Sequence, residues 1–195
     1  MPPSLQGRAK KAARHKTPRF RNLCGLLRVV FLLGCWRWLN KRAAPGIDRI
    51  RAWDYGKHLR GPVDDVAERV HTERYRATLV RRQSLPKGQG KRRPLGMPAM
   101  EDTLLQTAVA QILEAIYEQD FRPGSDGSRR AVGALDAVRD LTRTLQCGPY
   151  GVIVDADLKG FFDTIDHQPL LEMLAWRIED KPLLRLMRTW LKAGV

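Results

Sequence analysis

Acidic residues are missing from the first 47 positions, where eleven basic ones stand: Arg8, Lys10, Lys11, Arg14, Lys16, Arg19, Arg21, Arg28, Arg37, Lys41 and Arg42. A second acid-free stretch runs from Arg74 to Met100 with eight basic residues: Arg74, Arg76, Arg81, Arg82, Lys87, Lys91, Arg92 and Arg93. The whole chain carries 35 Lys plus Arg against 21 Asp plus Glu, a formal net charge of +14, which excludes an acidic class. Cysteine is scarce. Cys24, Cys35 and Cys147 are odd in number, far apart and never in a C-x-x-C pair, which indicates neither a disulfide framework nor a zinc site. A reducing, cytoplasmic setting is the expectation. Long apolar runs are missing too: the longest, Val29 to Trp36, is flanked by Arg28 and Arg37, whereas a membrane-spanning helix needs about 20 apolar residues. No membrane partner is expected.

What is present begins with 43% hydrophobic residues in 195, enough apolar material for a packed core of one domain or slightly more. Two concentrated basic regions point to a polyanion, and a nucleic acid is the commonest partner of that kind. The blander readings are a solvated basic surface or a targeting tail. Leu32-Leu33-Gly34-Cys35 has the form of a lipoprotein cleavage site, and the acid-poor start that of a transit peptide. Against both, Leu23, Leu26, Leu27, Val30, Phe31, Gly34 and Trp38 fall mostly at steps of three and four, as in an amphipathic helix that docks on its own protein.

Further along, Ala43-Ala44-Pro45-Gly46 breaks the helical pattern and predicts a turn into Ile47 and Asp48. A short helix is expected over 63–75, then strands over 78–85 and 93–97 around the turn residues Pro86, Gly88 and Gly90: a basic hairpin. Leu104, Leu105, Ala108, Ile112, Ala115 and Ile116 predict a helix over 101–119, with Glu101 and Asp102 suiting its dipole. Another helix is expected over 131–145. The apolar run Tyr150 to Val154 reads as a buried strand ending in Asp155-Ala156-Asp157. Helices over 169–178 and 180–192 close the pattern; in the last, Lys181, Arg185, Arg188 and Lys192 share one face, as on an ordinary solvated helix.

Alternation along an extended chain puts Asp155 and Asp157 on one side, with Asp163 nearby. Clustered carboxylates repel unless a cation or basic groups neutralise them, and hard Mg²⁺ takes one or two such oxygens plus substrate phosphates. In a two-metal site such ions align a phosphoryl transfer. Acid pairs after a strand also occur in sugar-nucleotide transferases and aspartyl-phosphate hydrolases, and Asp163 or Asp166 could equally cap turns.

The string Val154-Asp155-Ala156-Asp157-Leu158-Lys159-Gly160-Phe161-Phe162-Asp163-Thr164-Ile165-Asp166-His167 resembles the first palm motif of group II intron reverse transcriptases, the intron-encoded maturases. Leu85-Pro86-Lys87 through Pro98 is similar to that family's fingers hairpin, and Glu101 through Gln106 to its next helix. Asn40 through Asp48 is similar to its amino-terminal extension, and Trp190 through Val195 to a segment after the first palm helices. The resemblance implies an α+β fold, mostly helical with short antiparallel strands, forming the fingers and an incomplete palm of a right-hand polymerase. It divides the chain into a basic extension over 1–47, fingers over 48–148 and the start of the palm over 149–195. It implies RNA-directed DNA synthesis with Mg²⁺, an RNA template, a DNA primer and dNTP. Asp157 matches the catalytic metal-binding aspartate, the Leu158 backbone carbonyl a further metal ligand, and Phe162 the aromatic that excludes a 2′-hydroxyl. Lys87 and Arg93 match positions that hold the triphosphate, a role suited to an ammonium and a bidentate guanidinium. Arg81, Arg82, Lys91 and Arg92 are the candidate nucleic-acid contacts; Asp155 lies behind the metal, and Asp163 and His167 are structural.

The family's second palm motif, aromatic-x-Asp-Asp, has no counterpart among the 195 residues, whose adjacent acid pairs are Asp64-Asp65, Glu101-Asp102 and Glu179-Asp180. The expectation is that this chain alone does not polymerise. Between Phe121 and Arg130, Asp126 and Ser128 stand where the family usually has aromatics, and Arg130 where it has proline. Arg28-Val29-Val30 replaces a usually polar, acidic stretch. Three functions compete: part of an RNA-directed DNA polymerase, a noncatalytic RNA-binding fragment, and a Mg²⁺-dependent nucleotide-sugar transferase that leaves the basic hairpin unexplained.

Overall fold

Helical periodicity sets most of the chain, and the computed structural model describes residues 3–14, 19–87, 91–130 and 132–194. The helices are α1 (Pro3–Arg14), α2 (Val29–Trp36), α3 (Ala52–Lys57), α4 (Arg60–His71), α5 (Met100–Tyr117), α6 (Ala134–Cys147), α7 (Phe161–Thr164), α8 (His167–Ala175) and α9 (Lys181–Leu191). Between α4 and α5 lies an antiparallel pair, β1 (Arg81–Lys87) and β2 (Lys91–Met97), the only sheet among the described residues. The fold is therefore α+β and mostly helical, in line with the sequence. Among the described residues no helix is long and apolar enough to cross a membrane.

The chain packs as two units, Met1–Lys16 with Glu114–Asp166 and Thr17–Leu113 with His167–Val195. In the second, one apolar stripe of α4 (Val63, Val66, Val70) and one of α5 (Leu104, Leu105, Ala108, Ile112) are fully removed from water or nearly so. Each such Leu or Ile contributes about 1.5–3 kcal/mol over an exposed position. Ile178, Leu183 and Leu186 add the same from the carboxyl-terminal end.

The helix expected over Leu23 to Trp38 is interrupted. A single 3₁₀ turn covers Cys24–Leu26, and Arg28 is extended (φ −90°, ψ 159°) before α2 begins. The interruption changes the helical phase, so α2 buries Leu32 and Cys35 and leaves Val30 81% exposed. Asp180 explains the break. Its buried carboxylate accepts from the Leu23 N–H at 2.5 Å and the Cys24 N–H at 3.0 Å while capping α9 through the Leu183 N–H at 3.0 Å. Beside it, Phe20 and Ile178 form a parallel bridge, with Phe20 N to Arg177 O and Glu179 N to Phe20 O both 2.8 Å.

The first unit is more open. Leu5 and Ala12 of α1 and Ala115 and Ile116 of α5 are buried, but α6 buries none of its residues and exposes Leu135, Val138 and Leu141. The buried strand expected over Tyr150 to Val154 does not form: the segment has no regular structure, and Val152 and Val154 are 80% and 85% exposed. A strand needs ladder partners for its N–H and C=O groups, and no described segment pairs with this one.

Candidate functional site

The ribbon β1–β2 supplies the densest positive charge. Its register pairs Arg81 with Met97, Arg82 with Gly96, Gln83 with Leu95, Ser84 with Pro94, Leu85 with Arg93, Pro86 with Arg92 and Lys87 with Lys91. Directly opposed residues share a face. Arg81, Leu85, Lys91, Arg93 and Leu95 therefore lie on one face, and Arg82, Ser84, Pro86, Arg92 and Pro94 on the other. Both prolines fall in the same alternate class of pairs, the class whose N–H groups point away from the ladder, so neither costs a cross-strand bond. That is why β1 runs on past Pro86 to Lys87 and β2 starts at Lys91, each two residues nearer the turn than the sequence suggested, while β1 begins at Arg81 rather than at 78. The ribbon's basic side chains at 81, 82, 91, 92 and 93 are exposed. Lys87 is placed by its backbone in β1; its side chain and residues 88–90, on which the expected turn falls, lie outside the described residues.

The base of the ribbon is clamped by the turn at 45–48. Arg81 Nη1 donates to the Pro45 carbonyl at 3.2 Å. Asp48 accepts the Met100 N–H at 3.0 Å, supplying the first turn of α5 with a partner from a distant segment, and the Ile50 N–H at 3.2 Å. Gly46 lies so close to Pro98 that a Cβ would stand 2.3 Å from the Pro98 carbonyl oxygen. Lys41, upstream, folds back over Trp36: its Nζ donates to the Trp36 carbonyl and sits 3.9 Å from the Trp36 ring centre, and partial burial lowers its pKa.

A second support, not anticipated from the sequence, is built on Asp102. Fully buried, it accepts from the Tyr75 hydroxyl, from Thr78 N at 3.2 Å and from Thr78 Oγ1 at 2.7 Å; Trp190 Nε1 in turn donates to the Tyr75 oxygen at 3.0 Å. Burial, with the Asp102 carboxylate at the same oxygen, pushes the Tyr75 hydroxyl far above its usual range. The segment leading into β1 is thus tied to α5 and α9. Burial also raises the neighbouring Glu101 carboxyl, partly offset by its ion pair with Arg69. Tyr75 and Trp190 stand 115 positions apart in the sequence, and only the fold brings them together.

In the other unit, the carboxylates of Asp155 and Asp157 stand on the irregular chain after Val154, both exposed. Leu158 is 71% exposed and Phe162 88%; the Phe162 ring meets that of its neighbour Phe161 edge-on, centroids 5.3 Å apart. Gly160 at φ +65° makes the turn into α7. Among the described residues no three His, Cys, Asp or Glu side chains gather as a cation site. Asp157 and the Leu158 carbonyl nevertheless are hard oxygen donors, the kind that Mg²⁺ accepts in ones and twos beside substrate phosphates. In the stretch that departs from the family pattern, Ser128 adopts φ +56° and Arg129 is fixed by Glu118 at 2.6 Å and by the Ser125 carbonyl at 2.9 Å.

Residues 85–194 match the family model described as reverse transcriptase (RNA-dependent DNA polymerase). The chain belongs to the reverse transcriptase family. It is 34% identical over 152 residues to the group II intron-encoded protein LtrA of Lactococcus lactis, a match covering 71% of this chain and 25% of that one. It is 31% identical over 153 residues to protein YkfC of Escherichia coli, covering 77% of this chain and 40% of the relative. An uncharacterized 91 kDa protein in a cob intron of Schizosaccharomyces pombe is 30% identical over 132 residues, covering 68% and 16%. The chain thus spans between a sixth and two fifths of the length of these relatives.

Proposed function

We propose that the chain is the fingers and first part of the palm of a group II intron reverse transcriptase, a right-hand polymerase that copies RNA into DNA and assists its intron. The family match across the hairpin and the Asp157 turn carries this reading. Its parts are the basic extension over 1–47, the fingers over 48–148 and the start of the palm over 149–195, in a cytoplasmic setting. RNA template, DNA primer and dNTP are its partners. Lys87 and Arg93 hold the triphosphate, Phe162 lies against the sugar of the incoming nucleotide and rejects a 2′-hydroxyl, and Arg81, Arg82, Lys91 and Arg92 neutralise nucleic-acid phosphates. Asp157, with the Leu158 carbonyl, would hold Mg²⁺, which when bound offsets charge on the reacting phosphate. Asp155 lies behind Asp157 and shapes the turn.

A noncatalytic RNA-binding role is the second reading, favoured by the exposed basic side chains at 81, 82, 91, 92 and 93, which can bind phosphates without any carboxylate. Primer extension on an RNA template with Mg²⁺, paired with RNA binding across a salt series, separates the two. Binding that weakens steeply with salt supports both. DNA synthesis abolished by Asp157→Ala establishes the polymerase in this chain. Salt-dependent binding without synthesis, unchanged by Asp157→Ala, supports the binding role and agrees with the expectation that these 195 residues alone do not polymerise, and salt-independent or absent binding overturns both.

A further inference from the structure

The ribbon has no core of its own. Residues 81–86 of β1 and 91–96 of β2 are exposed, and only Met97, at the end of β2, is buried. A two-stranded hairpin is marginal in water without a third strand or a helix beneath it, so whatever order the ribbon keeps comes from its root. The segment that enters the root, residues 74–80, has no regular structure. Three contacts join it and Glu73 to the carboxyl-terminal end, and they fall in the same order along both. Arg185 pairs with Glu73, Trp190 Nε1 donates to the Tyr75 oxygen at 3.0 Å, and the Val80 N–H donates to the Gly194 carbonyl at 2.9 Å. From Glu73 to Tyr75 the chain can advance at most about 7 Å. From Arg185 to Trp190 a helix advances about 7.5 Å. The spans match, and the segment lies along α9 as a strap.

The middle contact reaches furthest into the root. Trp190 gives its N–H to the Tyr75 oxygen, and Tyr75 gives its own hydroxyl hydrogen to Asp102. Asp102 in turn holds Thr78 by both its N–H and its hydroxyl, just before β1 begins. A hydroxyl that accepts one bond donates the next more strongly, so each link of this chain supports its neighbour. The Tyr75 and Trp190 rings also meet edge-on, centroids 6.4 Å apart, a packing that does not need the indole N–H.

The geometry points to Trp190 as a positioning residue for the ribbon: through Tyr75 and Asp102 it fixes the strap, and the order of β1 and β2 follows the docking of α9. The inference goes beyond the reverse transcriptase reading and does not rest on it, because it concerns how the ribbon is held and not what the ribbon holds.

Backbone amide hydrogen exchange of the full chain, followed by NMR, tests it with Trp190→Phe, which keeps an aromatic ring and removes the N–H. With Pro86 and Pro94 in the outward class, the inward amides of the ribbon include those of Gln83, Leu85, Arg93 and Leu95. In Trp190→Phe these should exchange roughly three- to tenfold faster, the factor that one lost hydrogen bond gives. The amides of Leu105, Ala108 and Ile112 in α5 should keep their wild-type rates. A part in overall stability alone gives the reverse: core amides, which open by global unfolding, speed up, and ribbon amides do not. R185Q removes an exposed ion pair at the other end of the strap without touching the core, and should speed ribbon exchange about two- to fourfold. K192Q loses the same charge from an exposed side chain just past α9 and should leave the ribbon at its wild-type rate. Should Trp190→Phe not fold, R185Q against K192Q decides. Unchanged ribbon exchange in the deciding variant, ribbon and core rising together, or K192Q matching R185Q overturns the assignment. So does a wild-type ribbon whose inward amides exchange without protection.

Discussion

Alanine at Gly46 should unfold the clamp beneath the ribbon, and the same change at Gly34 should do the opposite. At Gly46 the new Cβ would stand 2.3 Å from the Pro98 carbonyl oxygen, 2.6 Å from its carbon and 2.7 Å from Ala99 Cα. All three are backbone atoms, so no side chain can swing aside. The backbones also cannot part freely, because Arg81 holds Pro45 and Asp48 holds Met100 across the same junction. Overpacking of this kind costs roughly 1–3 kcal/mol, and two pinned backbones put Gly46→Ala in the upper part of that range. For a chain of this size a loss of about 2–3 kcal/mol lowers Tm by roughly 4–12 °C. Gly34 lies inside α2, where a Cβ meets nothing within 4 Å. Gly34→Ala there gains roughly 0.5–1 kcal/mol of helix propensity. Thermal unfolding followed by circular dichroism should therefore move down for one variant and up for the other. An unchanged Tm for Gly46→Ala, or a fall in both, would refute the close-approach argument.

Asp180→Ala strands the N–H groups of Leu23, Cys24 and Leu183 in a buried site and should cost about 3 kcal/mol or more in urea titration, with Asp180→Asn retaining part of the loss. Burial, with the Asp180 charge next, pushes the Cys24 thiol up to about 11 from 9.0. A raised folded pKa means stability that is whole below pH 9 and lost as pH climbs through 11, roughly 2–3 kcal/mol in all. Urea midpoints should show that alkaline loss in the wild type and a flatter limb in Cys24→Ala. Alkylation at pH 8 should mark exposed Cys147 and spare buried Cys24 and Cys35 until denaturant is added, as peptide mass spectrometry would reveal. Val152→Ser and Val154→Ser should leave stability within about 0.5 kcal/mol of wild type, since both valines are already in water; a loss above 2 kcal/mol would mean they are packed.

Local signals proved legible where the structure keeps them local. The apolar steps from Leu104 to Ile116 gave α5 within two residues at either end, and Asp180 with Pro182 gave the start of α9. Pro86 and the glycines gave the hairpin but could not give its length, because the harmless phase of both prolines is a property of the register. The phase change before α2 was illegible for a like reason: it is imposed by Asp180, 157 positions from Leu23. Helix α1 was hidden by its charge, although Leu5 and Ala12, both buried, mark one side of it. Tyr150 to Val154 has the composition of a buried strand, yet composition cannot supply the neighbours a strand requires. For the candidate site, sequence named the basic residues, and only the pairing showed which of them face the same way.

The bridge between Phe20 and Ile178 also bears on how the protein is made. Phe20, Leu23 and Leu27, all buried in the finished fold, leave the ribosome long before Ile178 and Asp180 exist to receive them. At elongation rates of about 5–20 residues per second, the 157 positions between Leu23 and Asp180 take roughly 8–30 s to synthesise. Through that interval the nascent amino-terminal segment presents bare leucine and phenylalanine beside a dense run of arginine and lysine. Until the carboxyl-terminal helices arrive to cover it, transiently exposed apolar surface of this kind is prone to aggregate.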